Sequence, residues 1–166
     1  MRYFLILICL FPLCTRAQDC KLKKTTDPYT KEKQLSTGFI QFDGASLAIN
    51  ADSKEIDFFF SIDGKEKCLS DASSVIVNYE GKRQKATFRN NGPVNCDGIF
   101  HINFKNMATT PTLLQRLITQ KIISIQFINN NDTKKPLLNI DLSPEQQDAL
   151  MAKGNCLITE AKTLIK

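Results

Sequence analysis

Glu55-Ile56-Asp57-Phe58-Phe59-Phe60-Ser61-Ile62 decides how the chain is built. Ile56, Phe58, Phe60 and Ile62 alternate with Asp57 and Ser61, the period-two pattern of a strand that buries one face, and Asp63-Gly64 supplies a turn directly after it. Phe59 breaks the polar side of the alternation. Because successive side chains in a strand point to opposite faces, Phe59 stands away from Phe58 and Phe60, where it is either covered by a helix or exposed as a binding patch. The pattern favours the covered position.

The same grammar extends outward in both directions. Asp43-Gly44, Glu80-Gly81 and Asp97-Gly98 repeat the acid-glycine signature of tight turns that need a positive backbone φ. They predict a hairpin of 38–42 with 45–50 and another of 75–79 with 84–88. Phe100, Ile102 and Phe104 line one side of a further strand, with His101, Asn103 and Lys105 on the other. Thr110-Pro111 predicts a helix start, with Thr110 capping and Pro111 in the first helical position. Leu113, Leu114, Leu117 and Ile118 form the apolar face of that helix. In the next strand, 122–128, Ile123, Ile125 and Phe127 alternate with Ser124 and Gln126.

The connection from Phe104 to Ile122 is long enough for a right-handed strand-helix-strand crossover between parallel neighbours. Asn129 to Asp132 reads as a turn, and 137–140 as one more short strand. Ser143-Pro144-Glu145-Gln146 is a capping box opening a C-terminal helix, which Gly154-Asn155 interrupts. The expectation is a single α+β domain, mainly antiparallel sheet, with one helix crossover and a C-terminal helix packed on the sheet.

Composition excludes several functional classes. The 166 residues are 42% hydrophobic and 23% charged, the balance of a globular chain rather than a disordered one. Arg2 followed by an apolar run over 4–13, then Thr15-Arg16-Ala17, reads as an export signal cleaved after Ala17, leaving residues 18–166 as the domain. Neither Cys14 nor Cys20 has the small preceding residues of a lipid anchor. Without the signal the formal charge falls from +5 to +3, ordinary for a protein surface. Lys21, Lys23 and Lys24 cluster, but no aromatic residue is interleaved among them and no nucleic-acid motif is matched. No apolar run has the roughly 18 residues of a membrane-spanning helix.

Four cysteines remain after the signal, Cys20, Cys68, Cys96 and Cys156. In an exported chain an even number reads as disulfides, whereas a metal site would place two ligands close together, as in Cys-x-x-Cys. Three pairings are possible. Cys68 with Cys96 joins neighbouring parts of the strand-rich middle, and Cys20 with Cys156 ties the N-terminal arm to the C-terminal helix; this pairing is preferred.

No chemical site assembles in the sequence. His101 is the single imidazole, no Gly-x-Ser-x-Gly turn offers a nucleophile, and His101 reads as a surface or partly buried hydrogen-bonded residue. The acids cluster as Asp52, Glu55 and Asp57 and as Asp63, Glu66 and Asp71, but neither set follows a calcium-loop pattern. No glycine-rich phosphate loop is present, so neither cofactor nor metal is expected. Asn131-Asp132-Thr133 is formally a glycosylation sequon.

Gln18-Asp19-Cys20-Lys21-Leu22 after a signal, Asp27-Pro28-Tyr29-Thr30, a strand ending Phe60-Ser61-Ile62-Asp63, the hairpin at Glu80-Gly81, and Leu117 leading into 122–125 together resemble small exported proteins of unknown function found in Bacteroidetes-type bacteria. The resemblance spans most of the mature chain. It implies a periplasmic or secreted α+β domain and assigns no catalytic or binding residue. The expected function is a non-enzymatic module that binds another protein through its sheet face or loops. The alternatives are a secreted enzyme inhibitor presenting the loop between Asn90 and Gly98, and a small hydrolase built on the acids from Asp52 to Asp57.

Overall fold

The computed structural model describes residues 20–64, 68–81, 84–129 and 136–165. The export signal at 1–17, Glu66, the 130–132 part of the expected turn and the Asn131 sequon lie outside them. Elements follow in the order β1 (Lys23–Thr26), β2 (Lys33–Phe42), β3 (Ala45–Ala51), β4 (Glu55–Ile62), β5 (Ser74–Tyr79), β6 (Lys85–Arg89), β7 (Ile99–Lys105), α1 (Thr112–Thr119), β8 (Ile122–Ile128), β9 (Leu138–Asp141) and α2 (Pro144–Ala161), ending in one 3-10 turn at Lys162–Leu164. The expected hairpins and the capping box at Ser143 are present. The four acid-preceded glycines all adopt positive φ.

Two sheets form rather than one. The first has the order β1-β2-β3-β4-β7 and the second β6-β5-β8-β9. Every pairing is antiparallel. The expected parallel crossover is therefore overturned: β7 and β8 belong to different sheets, and α1 carries the chain from one to the other. Connection length permitted a parallel return, but β7 pairs antiparallel with β4, and β8 antiparallel with β5 and β9.

The inner face of the five-stranded sheet is divided between two coverings. Over β2 and β3 lies α2, whose Gly154 faces Ile49. Over β4 and β7 lies the four-stranded sheet, joined through edge-to-face rings: Phe127 meets Phe60 and Phe100 at 5.3 Å each, and Phe88 meets Phe104 at 6.1 Å. Such pairs contribute about 0.5–1.5 kcal/mol each beyond their buried area. Residues of both sheets and both helices form one continuous buried cluster. On α1, the Arg116 guanidinium sits 4.5 Å over the ring of buried Tyr79 in β5. Burial pushes the Tyr79 hydroxyl above its ordinary pKa, against the lowering effect of Arg116.

Three local expectations change. Thr110 makes no cap; Pro111 itself is the N-cap residue of α1, and no side chain caps that end. A register shift at Asn78/Tyr79, where β5 pairs with β8, brings Ile122 inward and leaves Ile123 exposed, reversing the expected alternation there. Gly154 does not interrupt the helix. Instead α2 runs unbroken for 18 residues, with Gly154 buried where α1 crosses it. Asn155 beside it donates from Nδ2 to the Ile118 carbonyl at 2.7 Å.

Both preferred disulfides are present, Cys20–Cys156 and Cys68–Cys96. The first joins positions 136 apart in sequence, and in the chain-entropy model a loop of that length corresponds to about 5 kcal/mol. It fastens the strand-β1 edge to α2, where Lys24 also pairs with Glu160.

A Cβ built at Gly154 would lie 2.9 Å from Ile118 Cγ2, a branched methyl that packing holds in place. Gly154→Val is accordingly expected to lower stability by about 1–3 kcal/mol through overpacking, measured by denaturant unfolding followed by circular dichroism. An unchanged midpoint would mean that α1 slides freely on α2.

Candidate functional site

The other face of the five-stranded sheet is left uncovered by either helix. It exists because the strands alternate: Leu47, Ile49, Phe58 and Phe60 point into the core, so Ala48, Asn50, Asp57 and Phe59 point out. In β2 the parity needs a correction, since Leu35 and Ile40 both point inward although five positions apart. A bulge between Ser36 and Phe39 supplies the extra residue. Gly38 adopts a φ of 64° there, and the Thr37 hydroxyl accepts from the Ile49 amide at 3.0 Å in place of a ladder bond. The bulge is what turns Phe39 outward.

The outer face then carries a cross-strand row, Phe39, Ala48, Phe59, His101, each opposite the next. Phe39 is 56% exposed and Phe59 half-buried. Phe59 packs edge-on against Phe39 at 6.3 Å and His101 at 5.1 Å. The expectation that a helix covers Phe59 is thus overturned, because ring neighbours in its own sheet shelter it.

His101 occupies the outward, partly buried position expected of it. Its Nδ1 lies 3.0 and 3.1 Å from the two Asp57 carboxylate oxygens, a diagonal contact between β4 and β7. Since an ionised carboxylate only accepts, Nδ1 carries the hydrogen of this contact. Among the described residues no serine, threonine or cysteine is hydrogen-bonded to that ring. Burial raises Asp57 above its ordinary pKa, opposed by the charge and hydrogen bond of His101. The pairing could have been suspected from two outward polar residues on strands that become neighbours, but nothing in the sequence shows that β4 and β7 are adjacent.

Beside the aromatic row lies an open cleft of about 340 Å³ crossing β1 to β4. All three acids of the first cluster, Asp52, Glu55 and Asp57, line it. Their convergence is the arrangement a carboxylate-dependent hydrolase would need, yet two are otherwise engaged. Asp52 Oδ1 accepts from the amides of Lys54 and Glu55 at 2.7 and 2.9 Å, and Asp57 holds His101. Glu55 alone has no partner among the described residues, so a general acid and a general base are not both free. The second acid set supplies Asp63 and Asp71 to turns, and neither lines this cleft.

The loop from Asn90 to Gly98 is held by residues that the sequence reading passed over. Buried Asn90 accepts from the Gly92 and His101 amides through Oδ1 and donates to Ser70 O through Nδ2. Asn95 exchanges backbone bonds with Leu69 at 2.7 and 3.0 Å, and its side chain spans Pro93 O, the Asp97 amide and both backbone groups of Ile99. Cys96 is bridged to Cys68 alongside. Val94 projects from this frame, 74% exposed. Asparagines in a loop are common, and only their tertiary partners distinguish these two.

Among the described residues no group of three or more histidine, cysteine, aspartate and glutamate side chains is placed to hold a metal, and no helix is long and apolar enough to cross a membrane. Neither a family model, nor a curated protein, nor a solved structure matches the chain.

Asp57→Asn keeps an acceptor for His101 Nδ1 while removing a carboxylate whose folded pKa lies above its unfolded one. Such a group stabilises the fold below the unfolded pKa and loses that contribution as pH rises through the folded pKa. The melting temperature of Asp57→Asn relative to the parent is therefore expected to climb from about pH 3 to about pH 7, followed by scanning calorimetry. A relative value that falls over this interval would contradict the assignment.

Proposed function

We propose that the chain is a non-enzymatic binding module, exported to the periplasm or secreted, which takes its ligand on the outer face of the five-stranded sheet. The observation carrying this reading is the row of Phe39, Phe59 and His101 on a sheet face that neither helix covers, next to a polar cleft. Adjoining rings on an uncovered face make a contiguous apolar patch, and it is contiguous patches that mark interaction sites. Two disulfides fit an oxidising compartment, and the export-signal pattern and the resemblance to small exported bacterial proteins point the same way. The engaged states of Asp52 and Asp57 favour binding over hydrolysis.

Affinity capture with the mature chain from envelope and culture fractions, read by mass spectrometry, tests this against Phe39→Ser. Because Phe39 is more than half exposed but packs edge-on against Phe59, the change is expected to lower stability by about 1 kcal/mol while abolishing capture by a chain that is still folded. Equal recovery by both proteins would remove the outer face from consideration.

A second reading has its own observation. Val94 stands on a loop fixed by a disulfide and by two asparagine side chains, the rigid presentation through which an inhibitor occupies an enzyme's cleft without an ordering penalty. If this loop is the working surface, Val94→Asp is expected to abolish inhibition of a panel of secreted hydrolases while Phe39→Ser leaves it intact. Absence of any inhibition by the parent protein counts against this reading.

A further inference from the structure

We infer that the cleft crossing β1 to β4 is a subsite for a neutral carbohydrate, an inference that rests on the outer face being the binding surface and names what it binds. Thr25, Gln34, Ser36 and Asn50 bring hydroxyls and amides from three adjacent strands to one opening. The side chains of Thr25, Gln34 and Asn50 have no protein partner among the described residues, and the Ser36 hydroxyl accepts only from the Gly38 amide. Each of these groups both donates and accepts, as each hydroxyl of a sugar does. Mounting them on paired strands fixes their spacing before the ligand arrives, so little ordering is needed on binding.

Charge and shape narrow the ligand class. Among the described residues Lys23 is the one cation lining the cleft, against the acids Asp52, Glu55 and Asp57, so the lining is net negative. Asp52 and Asp57 are satisfied by backbone amides and by His101. Hydrogen bonds satisfy those two carboxylates without cancelling their charge, so an anionic ligand is repelled, whereas a neutral polyhydroxylated one finds acceptors and donors in mixture. The row Ser36, Asn50, Asp57 lies two residues, about 7 Å, from the row Phe39, Ala48, Phe59 on the same face. Exposed ring surface at that distance offers a partner for the apolar C–H face of an adjoining sugar, whose hydrogens are attracted by the ring's negative face. The cleft volume of about 340 Å³ falls within the range of small-molecule sites, roughly 300–1,000 Å³.

The test uses the disulfide-intact mature chain on an array of neutral oligosaccharides, followed by titration with trimers and tetramers of glucose, mannose and N-acetylglucosamine monitored by amide NMR. Binding is expected to shift the amides of Gln34, Ser36, Phe39 and Asn50. Asn50→Ala and Phe39→Ala are each expected to weaken it about tenfold; Asn50→Ala leaves the melting temperature unchanged, Phe39→Ala lowers it slightly through loss of the Phe59 contact, and Gln34→Ala serves as a further check should either variant fold poorly. No binding across the array, or shifts confined to another surface, overturns the proposal. If capture then yields a protein that shields Phe39, the binding-face reading survives alone. If an oligosaccharide is bound in the cleft and cleaved, the carbohydrate site stands and the non-enzymatic reading falls.

Discussion

The ring of Phe127 is the contact on which the architecture turns. It comes from β8 in the four-stranded sheet and is completely buried between Phe60 of β4 and Phe100 of β7, at the same distance from each. Two sheets of five and four strands could not otherwise share one core, because α2 already covers β2 and β3. The junction needs large rigid side chains, as the sheets are held apart by roughly 10 Å and smaller residues would leave a gap at native packing density. Tyr79, Phe88 and Phe104 extend the contact to either side. With the inner face of the five-stranded sheet filled by one helix and one sheet, its outer face is what remains for other molecules.

That outer face is a by-product of burial. In β3, β4 and β7 every inward residue forces its neighbours outward, so a strongly apolar core face automatically displays Asn50, Asp57, Phe59, His101 and Asn103 on the other side. β2 alone departs from strict alternation, and the departure has a consequence at the surface. The bulge at Thr37-Gly38 keeps Leu35 and Ile40 in the core and delivers Phe39 to the end of the aromatic row. The Asp57–His101 contact closes the other end of that row. Partial burial raises the cost of the Asp57 charge, and the imidazole lies close enough to offset part of it.

Much of the secondary structure was legible because its causes are local. Acid-glycine turns, alternating strands and the Ser143 capping box each depend on a few consecutive residues, and they stand where expected. Two disulfides followed from the export reading and an even cysteine count; three pairings were open, and the preferred one is the one present. Gly154 was ambiguous because a glycine flanked by helical pattern looks the same whether it ends a helix or lets a second helix approach, and the neighbour that decides, Ile118, is 36 positions away in sequence. The parallel crossover failed for a related reason. A strand, a helix and a strand in succession fix a connection length, and not which sheet each strand joins.

For the site the division is sharper. By itself the sequence determined that Phe59, Asp57 and His101 stand on the side of their strands opposite to Phe58, Phe60 and Phe100. Only the tertiary structure decided that β4 and β7 are neighbours, that no helix covers Phe59, that a bulge brings Phe39 beside it, and that the cluster from Asp52 to Asp57 opens into a cleft with two of its acids already engaged. The physical reason is that side-chain direction is a property of the local backbone, whereas adjacency depends on which apolar surfaces win the competition for burial across the whole chain.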